Sequence, residues 1–240
     1  MPLLGTQSIY GQEADSLEKQ EELTEASRNR LFWMSTGKIS APHRVSIGLF
    51  SFLVLQGGYS PTDFLQLNTS LTFGYWSLGS KFQLMQETEF IRGISVGADI
   101  GFSPQSESFV VTRDQLTAFT VSGSFGNENA QLHLASFMVV QPNKTWENTL
   151  PPSFQIGFDI QLDRDSNRQA KLMAESWWVY EPSLKKYDAA IIMIGGRSYG
   201  RTFILDVAAM IGPTLCFGHC SSASGLRLFP LPYINLMWFI

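Results

Sequence analysis

The chain has 240 residues, a formal net charge of −4, 16% charged residues and 13% aromatics; globular chains ordinarily carry roughly a quarter charged residues. That balance excludes a basic nucleic-acid surface, and no Lys/Arg cluster with interleaved aromatics occurs. No Pro- or Ser-rich linker divides the chain, so one large domain is expected.

The first stretch, residues 1–28, reads as an acidic leader. Glu13, Asp15, Glu18, Glu21, Glu22 and Glu25 stand against Lys19 and Arg28, and "LLGTQSIYGQ" before "EADS" has the form of a signal-peptide tail. From residue 29 the pattern becomes extended. Alternation and turn chemistry mark segments near 29–38, 44–59, 64–74, 76–86, 89–103, 115–125, 129–140, 152–162, 169–180, 187–197, 201–211 and 230–240, with helical periodicity nowhere among them. The apolar run "VSIGLFSFLVL" (45–55) is too short for a membrane helix, which needs about 20 residues. Most segments are instead long enough to be strands tilted across a bilayer, at about 9–11 residues each.

Each segment has one apolar side. In "IRGISVGADIGF", Ile94, Val96, Ala98, Ile100 and Phe102 alternate with Ser95, Gly97, Asp99 and Gly101; Phe154, Ile156, Phe158, Ile160 and Leu162 alternate with Gln155, Gly157, Asp159 and Gln161. The connections alternate as well. Residues 60–63, 86–88, 127–129, 163–167 and 197–201 are tight turns, whereas 104–114, 141–151, 181–186 and 213–229 are longer loops, the asymmetry of an outer-membrane barrel. The connection at Gly74 and Tyr75 is short where a long one is expected. These features predict an all-β fold: an antiparallel up-and-down transmembrane β-barrel of about twelve strands, with ten to twelve allowed, over residues 29–240.

With the apolar sides toward lipid, the other parity faces a lumen. It collects Lys81, Asp99, His133, Asp159, Glu175 and Asp206, with Arg92 and Arg197 nearer strand ends. A basic side chain facing lipid at the bilayer midplane would cost about 2–4 kcal/mol, which argues for the lumen. The acids can either ring a water-filled passage as a cation-selective lining or pair with Lys81, Arg92 or Arg197 and hold the interior closed. Tyr59, Tyr75, Trp76, Tyr180, Tyr187 and Tyr199 lie at strand ends, where an aromatic girdle sits.

Three motifs bear on chemistry. Cys216 and Cys220 in "CFGHC" suit a loop disulfide or free thiols, with His219 allowing a metal reading that lacks a full ligand set. His133, on a polar strand side, could serve a lipid-modifying site with Glu175 or Asp206, although no G-x-S-x-G marks a nucleophile. "GGRSYGR" (195–201) lacks the Lys-Ser/Thr end of a phosphate loop. No cofactor or metal is expected.

The run "NRLFWMSTGKISAPHRVSIGLFSFLVLQGGYSPTDFLQLN" (29–68), the stretch "AKLMAESWWVYEP" (170–182) and the tail "FPLPYINLMWFI" (229–240) resemble uncharacterised outer-membrane β-barrel proteins of Bacteroidota-type bacteria. The resemblance implies that fold and location, and no activity. Asn235 stands where the family carries an acid, and Ile240 where such barrels commonly have Phe. The expected function is therefore a bacterial outer-membrane barrel, either a small-solute channel or a structural scaffold, contacting membrane lipid. The alternatives are a membrane-embedded lipid-modifying enzyme and a soluble lipid-binding barrel with its apolar faces turned inward.

Overall fold

A computed structural model describes residues 30–31, 34–50, 54–72, 75–85, 87–102, 115–140, 152–164, 169–181, 186–200, 202–211 and 231–240. Twelve strands follow one another: β1 (Val45–Phe50), β2 (Val54–Tyr59), β3 (Leu65–Thr72), β4 (Tyr75–Met85), β5 (Ile91–Phe102), β6 (Gln115–Gly126), β7 (Ala130–Val140), β8 (Ser153–Arg164), β9 (Gln169–Glu181), β10 (Lys186–Tyr199), β11 (Phe203–Ile211) and β12 (Leu231–Phe239). Each pairs antiparallel with its sequence neighbours, and β12 pairs with β1 to close the barrel. The seam is fastened where Val45 and Ile240 exchange backbone hydrogen bonds of 3.2 and 3.0 Å. Closure leaves no free sheet edge, so every wall strand has its backbone groups paired without water.

The strand count matches the expectation, but the first two segments are partitioned differently. Residues 44–59 form two strands: β1 and β2 pair with each other, Val45 opposite Tyr59 and Phe50 opposite Val54. Residues 30–31 and 34–41 join no wall strand and lie inside the barrel. Leu31, Met34, Thr36, Lys38, Ile39, Ser40 and Ala41 are all buried there. The chain then turns at His43, whose φ of 62° is left-handed and whose N–H donates to Ser60 O at 2.6 Å, and enters β1.

Burial divides the two strand faces cleanly. Along β8, Phe154, Ile156, Phe158, Ile160 and Leu162 are 41–64% exposed, while Ser153, Gln155 and Asp159 between them are 5–7% exposed. The same holds around the wall: Leu71, Leu78, Phe119, Val121, Ile194 and Val207 point outward, and Gln66, Lys81, Ser122, His133, Lys171 and Asp206 point inward. A continuous apolar outer face around a polar interior is the inverse of a water-soluble barrel.

Some aromatics keep their expected place. Tyr59 and Trp76 are outward, and Trp76 stacks on Phe102 at 4.4 Å between ring centroids. Tyr199 does not: it shares the inward parity of Arg197, is 1% exposed, and donates from its hydroxyl to Gln169 Oε1 at 2.6 Å. The side chains of Tyr75 and Tyr187 lie outside the description. An apolar cluster occupies one side of the lumen, where Leu31 and Met34 join Met173, Met193, Tyr233 and Met237. Methionine is the flexible residue suited to filling such an irregular space.

Candidate functional site

The polar lumen is the candidate site, and each wall strand delivers one inward side chain every second residue. The strongest ion pair joins β10 to β11. Arg197 Nε donates to Asp206 Oδ1 at 2.7 Å and Nη2 to Oδ2 at 3.0 Å, and Asn235 Nδ2 on β12 donates to the same carboxylate at 2.7 Å. Arg197 also reaches the inserted segment, donating to the carbonyls of Arg30 at 2.8 Å and Leu31 at 3.0 Å. A buried guanidinium is tolerated because its donors are so fully used.

Next to that pair in the wall a relay crosses β6, β7, β8 and β9, its Lys171 standing beside Arg197 in the β9–β10 register. Gly37 N–H donates to Ser124 Oγ at 2.8 Å, and Ser124 Oγ lies 2.8 Å from His133 Nδ1. His133 Nε2 lies 3.2 Å from Asp159 Oδ2, which also accepts from Lys171 Nζ at 3.3 Å. Ser124, His133 and Asp159 thus have the composition of a hydrolase triad. Their arrangement suits a structural relay better: Ser124 is fully buried, its oxygen already accepts from Gly37, and the two ring nitrogens play the reverse of their triad roles.

The remaining expected residues separate. Glu175 accepts from Met34 N–H at 3.2 Å and Trp177 Nε1 at 3.2 Å. Lys81 pairs with main chain instead of a carboxylate, donating to the carbonyls of Thr36 at 2.6 Å and Lys38 at 2.5 Å. Asp99 reaches over Gly79, where an added Cβ would overlap its carboxylate. Arg92 is not a lumen partner; it pairs with Glu87 at a tight turn, and Lys38 Nζ meets the same carboxylate at 3.2 Å. His133 pairs with Asp159, not with Glu175 or Asp206. Cys216 and Cys220 lie outside the described residues.

Sequence reasoning missed Lys171 and the serines. Lys171 shares the parity of Glu175, so alternation was signal enough. Nothing local marks Ser95, Ser122 and Ser124 as contacts of an inserted segment. Beside that segment remains a cavity of about 400 Å³, lined by Ser46, Gln56, Asn68, Ser70, Ser77, Asp99, Thr120 and Trp177 among others. Its wall is mostly hydroxyl and amide, with Lys81 and Asp99 supplying charge of both signs.

Fold and lumen together define a closed twelve-stranded antiparallel barrel, apolar outside and polar within. No family model matches the chain, and no curated protein matches it either. Among solved structures it is similar to the NanC porin, at 7% identity and a TM-score of 0.48, covering 82% of this chain and 98% of that one. It is also similar to OccAB2 of Acinetobacter baumannii, at 11% identity and a TM-score of 0.38, covering 84% of this chain and 60% of that one. The barrel assignment rests on the strand register itself.

Proposed function

We propose that the chain is an integral β-barrel of a bacterial outer membrane whose polar lumen forms a narrow passage for small polar solutes, with its tight turns on the periplasmic side. The observation that carries this reading is the band of exposed apolar side chains around the wall, set against an interior that buries Gln66, Lys81, His133, Asp159, Glu175, Arg197 and Asp206 beside one apolar cluster. A soluble lipid-binding barrel needs the opposite arrangement, its apolar side chains lining the cavity. The start of β1 and the end of β12 lie beside the tight turn after β2, and tight turns face the periplasm in such barrels. The remaining cavity, rich in hydroxyl and amide groups, fits small hydrated solutes and disfavours bulky apolar ones.

The test has two stages. Extraction only by detergent, with a folded band that shifts on heating in gel electrophoresis, is expected of the membrane barrel; recovery in plain aqueous buffer would overturn it. Planar-bilayer conductance then separates passage from scaffold. A barrel that inserts yet carries no current as wild type, as Asp99→Ala or as Glu175→Ala serves as a scaffold.

A further inference from the structure

The contacts that hold residues 30–41 fall largely on main chain. Wall side chains donate to the carbonyls of Arg30, Leu31, Thr36 and Lys38. Other wall side chains accept from the N–H groups of Met34, Gly37, Ile39 and Ser40, through Glu175, Ser124, Gln83 and Gln66. Thr36 O alone takes Lys81 Nζ and the hydroxyls of Ser95 and Ser122. From Met34 onward, fixed donors and acceptors placed along the backbone satisfy groups that every polypeptide carries, which is how strand-binding grooves recognise their ligands; before it the chain reverses, Arg30 bridging to Ser35 and Leu31 N–H donating to Met34 O at 3.1 Å.

Side-chain selection enters at two points. Met34 is fully buried and shares the space over Gly157 with Leu31: an added Cβ there would overlap Leu31 Cδ1 and meet Met34 Sδ at 3.1 Å. Three residues on, Gly37 passes so close to Gly93 and Ser124 that a Cβ would overlap their backbones. The wall is therefore shaped for an apolar residue followed at the third position by glycine.

We propose that the lumen is a binding site for an extended polypeptide strand of the pattern apolar-x-x-Gly, read mainly through its main chain, with residues 34–41 as the resident occupant. A second peptide of that pattern takes the same place once the resident is displaced. This proposal rests on the membrane-barrel reading. An attached segment competes at an effective concentration of about millimolar, so displacement must come first, and Gly37→Leu supplies it without altering any wall residue.

The experiment uses the full chain in planar bilayers, with heat-modifiability confirming that each variant is folded. Gly37→Leu is expected to conduct several-fold more than wild type. The octapeptide Met-Ser-Thr-Gly-Lys-Ile-Ser-Ala, copying residues 34–41, is expected to return that current to the wild-type level, and the same peptide with Leu at its fourth position to leave it unchanged. Adding Lys81→Met should weaken the block about tenfold, the effect of losing hydrogen bonds from a charged donor. A folded, inserted Gly37→Leu barrel that conducts no more than wild type, or that ignores both peptides or obeys both equally, overturns the proposal while the membrane reading stands. Failure of the wild type to insert would count against the membrane reading itself. Should Gly37→Leu not fold, Ser40→Cys in the otherwise unaltered chain gives a second readout: reaction with a thiol reagent, located at residue 40 by mass spectrometry. Labelling is expected to be slow alone and faster with the octapeptide; equal rates up to about millimolar peptide overturn the proposal.

Discussion

Arg197 holds both oxygens of Asp206 while its remaining nitrogen binds the carbonyl of Arg30, so a single side chain ties two wall strands to the inserted segment. Arg197→Met strands a buried carboxylate and is expected to destabilise the barrel by about 3–5 kcal/mol. Arg197→Met combined with Asp206→Leu should recover much of that, because no unpaired charge remains. Urea unfolding from detergent or lipid, followed by loss of the fast-migrating folded band, measures both.

The outer face makes a second prediction. Phe158 sits at mid-β8 and is 44% exposed, so in a bilayer it contacts acyl chains. Phe158→Arg is expected to cost about 2–4 kcal/mol of folding free energy in lipid vesicles, whereas a basic substitution near the strand ends costs about 0–1 kcal/mol. Equal costs at the two depths would remove the lipid-facing assignment.

Adjacent tryptophans on β9 should report opposite surroundings. Trp177 lines the cavity and contacts Phe137 with ring centroids 5.7 Å apart, whereas Trp178 is 38% exposed on the outer face. In single-tryptophan variants, bromine-labelled lipid chains are expected to quench Trp178 strongly and Trp177 weakly. Reversal of that order would mean the strand is turned the other way.

His133→Leu probes the relay. The substitution leaves Ser124 and Asp159 each short of a partner, and a cost of about 1–3 kcal/mol is expected. If the trio is structural, purified protein carries no His133-dependent release of fatty acid from phospholipid. Hydrolysis by wild type that His133→Leu abolishes in a folded barrel would restore the enzyme reading.

Alternation made the wall legible from sequence, because a period of two assigns every inward residue once a strand's register is known. Asp99, Asp159 and Asp206 were placed that way. The first elements were not, for two reasons. Residues 44–59 contain no Pro, Asn or Asp to mark the reversal between β1 and β2. The segment 29–38 has a strand-like pattern whether it pairs with a neighbour or lies in the lumen, where the amides of Met34, Gly37, Ile39 and Ser40 are satisfied by side chains from distant strands. Where a backbone's hydrogen bonds go is a tertiary fact, and this also explains why Lys81 was expected opposite an acid.

Closure of β1 on β12 sets an order on folding. Ser46 pairs with Phe239, so closing the seam joins residues far apart in the sequence, the type of long-range contact that slows folding most. Until then the protein is an open sheet with two unpaired edges and an apolar face, a species prone to aggregate. The stretch 34–41 leads into β1 and bonds to β3, β4, β5, β6 and β9, and Arg30 and Leu31 before it bond to β2, β10 and β12. It can therefore template the curvature of the nascent sheet from its concave side, bringing the two edges within reach before the seam closes.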